Sequence, residues 1–356
     1  MYLMLENTKI LYFDFQDFIV EVIREELLPF YLRSNIKRTA VMKDILSNVQ
    51  AVKSYLSSRM LSLSRDNAKK IYAAFQIPQI DTIDNRVNIC IKCKGVSIQD
   101  SYWVKEEEGT EKWEDINIRK NKLKDIVDLS LGGYSPTITT SVICPELTTK
   151  GLFRKGWVRM GDSLYLLKSD KTKNSVNTRM EILTSEILEC FDHTLESVKY
   201  VGDDKNMMEG MGHVSICKNF VGEDYSKRLN IDFREYCLRR WGAKFASIPV
   251  LDYIVVNTDR HTQNYGFMMN NQNGKIEQLA PLFDFNCALV ADYFAHDARD
   301  TLAQMFNTKE TLRELAHQYI GYTNIVFHED KFIKVVKKNE NYKYIFEKVY
   351  ERIQEL

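Results

Sequence analysis

The sequence contains few of the residues that bend a chain: its 356 residues include 15 glycines and 6 prolines. Together these make up about half of their usual share in globular proteins, which disfavours a turn-rich sandwich or barrel and favours helices. An excess of one charge is missing as well, because 49 Lys and Arg side chains balance 49 Asp and Glu side chains. Without a global positive field, we expect no direct binding of nucleic acid.

Signals for a membrane or for secretion are also missing. No stretch reaches the roughly 18 consecutive apolar residues that a bilayer crossing requires. The first residues, MYLMLENTKILYFDF, lack a basic segment followed by an apolar stretch and a small-residue cleavage site. The 7 cysteines are scattered and odd in number, unlike a disulfide framework. We therefore expect a cytoplasmic protein that has no membrane partner.

What is present suits a folded protein. The shares of hydrophobic residues, 44%, and of charged residues, 28%, are close to globular averages, and the length allows one to three domains. Helix and strand signals predict an α+β fold in three parts. These are a mainly helical, partly mixed N-terminal region at 1–124, a small β-rich lobe at 125–222 and a larger helical lobe at 223–356.

In the N-terminal region, apolar residues recur at helical spacing from Asp17 to Phe75, which predicts helices there. The segment from Tyr102 to Val104 is predicted to be a strand, and so is a short apolar run from Val87 to Cys93. It contains the pair Cys90 and Cys93, but a tetrahedral zinc site needs a second pair at matching spacing, and the sequence has none. Structural thiols are therefore favoured, with a metal or redox pair as the alternative.

In the small lobe, a β-hairpin is predicted over residues 157–168, followed by a helix over residues 178–191. A capping box of Thr178 and Glu181 marks the start of this helix. In kinases a strand lysine contacts the phosphates and a glutamate of the following helix holds that lysine. Lys168 ends the hairpin and is the candidate lysine.

Three glutamates of the predicted helix could hold Lys168. Glu181 is assigned to the capping box and Glu189 faces away from the apolar stripe, whereas Glu186 flanks the buried side. Glu186 is therefore the predicted partner. The alternatives are a solvated strand end for Lys168 and an exposed helix charge for Glu186.

The chemistry concentrates in residues 257–267, which read NTDRHTQNYGF. Asp259 and Asn264 are separated by four residues, and a predicted hairpin after them can return Asp284 to their side. Such a set suits phosphoryl transfer: one aspartate accepts the proton of a hydroxyl, while an Asn oxygen and a second Asp hold Mg²⁺. The alternatives are a helix-terminating turn with local caps for Asp259 and Asn264, and an ordinary turn residue for Asp284. His261 is a candidate catalytic acid, although a ring that braces the loop is favoured.

Three motifs carry a family resemblance. They are NTDRHxxNxGF from Asn257 to Phe267, PxFD ending at Asp284, and Leu167-Lys168 preceding Glu186. Over roughly residues 125–310 the chain resembles the HipA-like family of bacterial serine/threonine protein kinases.

The resemblance implies a kinase-like bilobal fold that binds ATP with Mg²⁺. It implies Asp259 as the catalytic base, Asn264 and Asp284 as metal ligands, and Lys168 as the lysine on the phosphates. It further implies a protein substrate and a toxin-like role paired with a DNA-binding antitoxin.

The phosphate loop departs from the family pattern, which reads Gly-x-x-x-Lys near a serine. Here the segment GGYSPT, from Gly132 to Thr137, has no lysine. Backbone amides can still cradle a phosphate, so Gly132, Gly133 and Ser135 remain candidates for nucleotide binding. The hydroxyls from Ser135 to Ser141 are candidates for autophosphorylation, with a plain strand entry as the alternative.

These observations together predict a kinase that transfers the γ-phosphate of ATP to a Ser or Thr of a protein. A kinase-fold phosphotransferase for small molecules is one alternative. A catalytically silent kinase-like binding module is the other, since the Gly-Gly segment lacks the usual lysine.

Overall fold

The computed structural model describes residues 1–38, 41–60, 63, 68–97, 100–117, 154–160, 163–169, 176–201, 206–209, 215–218, 233–261, 264–269, 276–307 and 309–356. The chain divides into two compact units. One comprises Met1–Ser169 with the short segments Gly210–Ser215 and Asn270–Lys275, and the other comprises Asp170–Glu209, Ile216–Met269 and Ile276–Leu356. Both helices and strands are present, so the predicted mixture of α and β structure is confirmed.

The first unit begins with an antiparallel sheet in the strand order β3-β2-β1-β4. Its strands are β1 Tyr2–Leu5, β2 Thr8–Asp14, β3 Ile19–Val22 and β4 Tyr102–Lys105. The helix predicted from Asp17 is therefore wrong at β3, whereas the strand-like segment at Tyr102 is confirmed. Leu3 of β1 pairs with Val104 of β4, a contact between distant parts of the chain that local patterns do not reveal.

Helices pack against this sheet. They are α1 Phe30–Asn35, α2 Met42–Ser58, α3 Ala68–Ala74, α4 Ile83–Lys92 and α5 Trp113–Ile116, with a 3₁₀ turn at Glu25–Leu27. On α2, Val52 and Leu56 recur at helical spacing and are fully buried with Phe13 of the sheet. The prediction of helices in this region is confirmed for α1, α2 and α3.

Cys90 lies on α4 and Cys93 directly follows that helix, so the strand predicted there is wrong. The helix begins at Thr82, whose hydroxyl accepts a hydrogen bond from the backbone N–H of Asn85. A short apolar run fits a buried helix and a buried strand equally well, which explains the error. Both thiols are buried, and burial raises the pKa of Cys90 to about 12, so Cys90 is an unreactive thiol.

The predicted hairpin of the small lobe is confirmed. Its strands β5 and β6 are antiparallel, with Met160 opposite Ser163 and Lys155 opposite Lys168. They span Arg154–Met160 and Ser163–Ser169. The expectations for Gly132, Gly133 and Ser135 lie outside the described residues.

In the second unit, helix α6 covers Val176–Leu188. Thr178 lies inside its first turn, so the predicted capping box of Thr178 with Glu181 is wrong. The helix also ends earlier than predicted, because Phe191–Asp192 forms strand β7.

The strands that follow Ser169 in the chain are short. They are β7, β8 Tyr200–Val201, β9 Asn206–Glu209, β10 Ser215–Lys218, β11 Gly266–Met269, β12 Ile276–Leu279 and β13 Val326–Phe327. The antiparallel pairing of β11 with β12 confirms the second predicted hairpin. Because this hairpin reverses the chain, residues after Leu279 return toward those before Gly266.

The remaining helices are α7 Phe233–Trp241, α8 Ala243–Ile254, α9 Val290–Tyr293, α10 Leu312–Ile320, α11 Glu329–Lys338 and α12 Lys343–Glu355, with 3₁₀ turns at Met305–Asn307 and Glu340–Tyr342. This confirms the predicted helical C-terminal region. Helix α8 is buried from Phe245 to its end and packs against α10 and α12. In the described part of the chain, no helix is both long and apolar enough to cross a membrane.

Candidate active site

Helix α8 ends at Ile254, shortly before the polar residues from Asn257 to Asn264. After the helix ends, the backbone N–H of Asn257 donates to the carbonyl of Asp252 at 2.8 Å, and the amide of Asn257 donates to the carboxylate of Asp252 at 2.9 Å. Val256 has φ +46°, a left-handed conformation that is costly for a β-branched residue. The chain therefore turns sharply between the buried helix and Asp259, and the Asp252 contacts hold that turn.

Asp259 and Asn264 are in direct contact. The amide Nδ2 of Asn264 donates to the backbone carbonyl of Asp259 at 2.8 Å and to its carboxylate at 3.4 Å. Asn264 is buried, whereas the side chain of Asp259 keeps 29% of its exposure. The amide oxygen of Asn264 thus points away from Asp259, and the Asp259 carboxylate remains accessible to a substrate.

His261 is part of the same loop but does not hydrogen-bond to the Asp259 carboxylate. Its Nε2 lies 3.8 Å from Oδ1 of Asp259, beyond hydrogen-bonding distance. The backbone carbonyl of His261 accepts from the N–H of Asn264 at 2.9 Å. His261 therefore contributes to the loop through its backbone, and its ring acts on Asp259 through charge.

Asp284 lies close enough to Asp259 for the two carboxylates to interact. The pKa of Asp259 is raised, chiefly by burial and further by the negative charge of Asp284, while His261 lowers it. Asp284 itself has φ +61°, a left-handed conformation that aspartate tolerates. Two neighbouring carboxylates in a partly buried place repel each other and favour a bound cation.

Sequence reasoning missed a buried ion pair beneath the loop. Arg260 and Asp252 are each 1% exposed, and the Arg260 guanidinium contacts both Asp252 oxygens at 3.0 Å. A signal for this pair exists in the sequence, since Asp252 is the one charged residue in the apolar run FASIPVLDYIVV. A buried carboxylate of this kind needs a partner.

The available oxygen atoms suit Mg²⁺. The carboxylate of Asp284 and the amide oxygen of Asn264 are hard ligands of the type that Mg²⁺ prefers. A second amide oxygen, Oδ1 of Asn286, is buried and has no hydrogen-bond partner in the described part of the chain. Among the described residues, no group of three or more His, Cys, Asp or Glu is arranged to hold a metal ion. Mg²⁺ is commonly held by one or two carboxylates together with substrate phosphates.

The other predicted residues are placed as follows. Glu186 binds Lys338 at 2.5 Å and Asn339 at 2.8 Å, so both of its oxygens face the C-terminal helices. Glu181 is 1% exposed and accepts a hydrogen bond from the Tyr200 hydroxyl at 3.1 Å. Lys168 lies in β6 of the other unit. Of the predicted residues, the structure thus brings together Asp259, His261, Asn264 and Asp284.

No family model and no curated protein matches the chain. Among solved structures, it is similar to a proinflammatory kinase of Helicobacter pylori, CtkA, with 13% identity and a TM-score of 0.38 over 57% of this chain and 88% of that one. It is also similar to HipA of Shewanella oneidensis MR-1, solved with HipB and operator DNA. Here the identity is 13% and the TM-score 0.48, over 99% of this chain and 91% of that one.

Proposed function

We propose that the protein is an ATP- and Mg²⁺-dependent kinase that transfers the γ-phosphoryl group to a Ser or Thr hydroxyl of a protein. The observation that carries this proposal is the grouping of Asp259, Asn264 and Asp284 around one loop. These side chains supply a base and two oxygen ligands, which phosphoryl transfer requires.

Asp259 is the proposed base. Its carboxylate is accessible, and its raised pKa makes it a better proton acceptor than an ordinary aspartate. The acceptor hydroxyl loses its proton to Asp259 as its oxygen bonds to the γ-phosphorus. The bond from that phosphorus to the β,γ-bridging oxygen breaks, and ADP leaves.

Asn264 and Asp284 are the proposed ligands of Mg²⁺, with Asn286 as a further amide near them in the sequence. When bound there, the ion would neutralise the charge of the transferring phosphate. The bond from Asn264 Nδ2 to Asp259 fixes the amide so that its oxygen, not its nitrogen, is available as a ligand. One side chain thereby orders both the base and the metal site.

Lys168, Gly132, Gly133 and Ser135 remain the proposed contacts of the nucleotide phosphates, on the basis of the family resemblance. For the acid of helix α6, the observed contacts favour Glu181 over Glu186, because both oxygens of Glu186 are taken by C-terminal residues. The Ser/Thr specificity, the protein acceptor and a DNA-binding antitoxin partner also rest on the resemblance to HipA-like kinases.

The direct test is transfer of labelled phosphate from γ-labelled ATP to casein and to the protein itself. Asp259→Asn should lower the rate by about 10²- to 10⁴-fold, the usual contribution of a general base. Asp330→Asn is the control, since Asp330 is an acid whose side chain keeps 73% of its exposure, and it should retain the rate.

Asp259→Asn should remain folded. The pKa of Asp259 is raised in the folded state, so its contribution to stability is present below the unfolded pKa and is lost as pH rises through the folded pKa. At neutral pH the ionised Asp259 carboxylate therefore lowers the free energy of unfolding. Removing its charge should not lower the melting temperature. An Asp259→Asn variant that transfers phosphate at the normal rate contradicts the proposal, and transfer only to small molecules would redirect it to a metabolite phosphotransferase.

A further inference from the structure

Arg260 follows Asp259 in the chain, yet its side chain turns into the protein and is 1% exposed. Its Nη1 atom donates to two backbone carbonyls, that of Asn264 at 2.6 Å and that of Phe283 at 2.7 Å. The two carbonyls belong to separate segments, one on each side of the β11–β12 hairpin. A single guanidinium nitrogen therefore joins the two ends of that hairpin.

Both joined segments carry a proposed metal ligand. Asn264 is such a ligand itself, and Phe283 immediately precedes Asp284. Because the two carbonyls share one donor atom, neither can move away without losing a short, charge-assisted hydrogen bond. The spacing between the two proposed ligands is thus coupled to the position of Arg260.

Arg260 is itself fixed from two further directions. Asp252 on helix α8 binds its Nε and Nη2 atoms, and the ring of Phe285 lies 4.7 Å from the guanidinium carbon. The planar guanidinium fork makes these contacts simultaneously, which the single ammonium group of a lysine cannot do.

We propose that the Arg260–Asp252 pair is a positioning device that sets the spacing of Asn264 and Asp284 for a divalent cation. This inference rests on the proposed function, since it assigns the pair to the metal site of the kinase reaction. Arg260 acts through the two backbone segments and does not contact the substrate.

The chain offers a matched control. Arg352 is also 1% exposed, binds Asp292 at 2.6 Å and donates from Nε to the carbonyl of Ile254 at 2.8 Å. It has the same chemistry and burial as Arg260, but its bonds join helices α8, α9 and α12. Loss of either ion pair should destabilise the fold. Only loss of the Arg260–Asp252 pair should also weaken metal binding.

The experiment compares Arg260→Lys with Arg352→Lys in the full-length protein. Two quantities are measured: the Mg²⁺ concentration that half-saturates phosphate transfer, and the affinity for Mn²⁺ in the presence of a non-hydrolysable ATP analogue, followed by electron paramagnetic resonance. For Arg260→Lys we expect both to weaken by about 10- to 100-fold, the usual effect of losing a residue that orients metal ligands. For Arg352→Lys we expect changes within about twofold at a comparable loss of melting temperature.

Equal metal affinities in the two folded variants, or an unchanged affinity in Arg260→Lys, would overturn the inference. If Arg260→Lys does not fold, Asp252→Asn is compared with Asp292→Asn. Asp252→Asn should bind Mn²⁺ more weakly than Asp292→Asn does. Equal affinities in these two variants would also overturn the inference. If the unaltered protein neither transfers phosphate nor binds Mn²⁺ with the analogue, the proposed function itself fails.

Discussion

At the scale of the residue, the pKa of Asp259 depends on burial and on the neighbouring charges of the candidate site. Burial and the carboxylate of Asp284 raise its pKa, and His261 lowers it. The net direction is upward, so the acidic limb of the pH profile of kcat/KM should lie above the pH expected for an ordinary aspartate. His261 lowers this pKa although its Nε2 lies 3.8 Å from the Asp259 carboxylate, beyond hydrogen-bonding distance.

His261→Gln tests that role. The electrostatic interaction with His261 lowers the pKa of Asp259, so removal of the imidazole should raise the pKa of Asp259 further. The acidic limb of kcat/KM should shift to higher pH, while the rate at alkaline pH changes less. A limb that stays in place or moves to lower pH would show that His261 does not act on Asp259 through charge.

Single residues also show why the site could be predicted only in part. Asp259, Asn264 and Asp284 were recognisable because their chemistry and spacing suit one reaction. Arg260 was not recognisable as the link between two segments, because its partners are the backbone carbonyls of Asn264 and Phe283. Every residue has a backbone carbonyl, so the sequence does not show which carbonyls accept these hydrogen bonds.

At the scale of the element, helix α6 places the two candidate glutamates, Glu181 and Glu186, in different surroundings. The helix begins at Val176, so Glu181 is not held in a capping box with Thr178. It is instead buried beside Tyr200, while Glu186 joins the C-terminal helices. An error of at least two residues in the predicted helix start thus assigned Glu181 to a capping box that does not form.

Glu181→Gln and Glu186→Gln should therefore behave differently. If Glu181 is the acid that supports nucleotide binding, Glu181→Gln should raise the KM for ATP by about tenfold or more, as expected for the loss of a charged hydrogen-bonding group. Glu186→Gln removes an ion pair with a largely exposed lysine, which contributes about 0–1 kcal/mol.

The measurements are the KM for ATP and the melting temperature of each variant. Glu186→Gln should leave the KM within about twofold while lowering the melting temperature slightly. If Glu186→Gln instead raises the KM for ATP more than Glu181→Gln does, Glu186 is the acid that supports nucleotide binding, as predicted from the sequence.

Other elements show which parts of the fold can be predicted from local sequence patterns. The hairpins β5–β6 and β11–β12 were predicted because their strands are adjacent in sequence. The sheet that contains β1 was missed, since Leu3 pairs with Val104. The run from Val87 to Cys93 was too short to distinguish a helix from a strand.

At the scale of the whole molecule, the candidate site is local in sequence although the protein is large. The residues from Asp252 to Asn286 contain the buried ion pair, the proposed base, both proposed metal ligands and the hairpin that brings them together. The rest of the second unit supports this stretch through the packing of helix α8 against α10 and α12. The zero net charge of the chain is compatible with the proposed function, because the proposed metal ion and the proposed phosphate contact Lys168 would supply the positive charge that a nucleotide needs.

The most direct test of the account is a crystal structure of the full chain with Mg²⁺ and a non-hydrolysable ATP analogue. We predict an Mg²⁺ ion about 2.0–2.1 Å from the amide oxygen of Asn264 and from the carboxylate of Asp284. The Asp259 carboxylate should remain unligated and face the γ-phosphate. A metal–nucleotide complex that binds elsewhere, or that uses neither Asn264 nor Asp284, would contradict the assignment of this loop as a phosphoryl-transfer site.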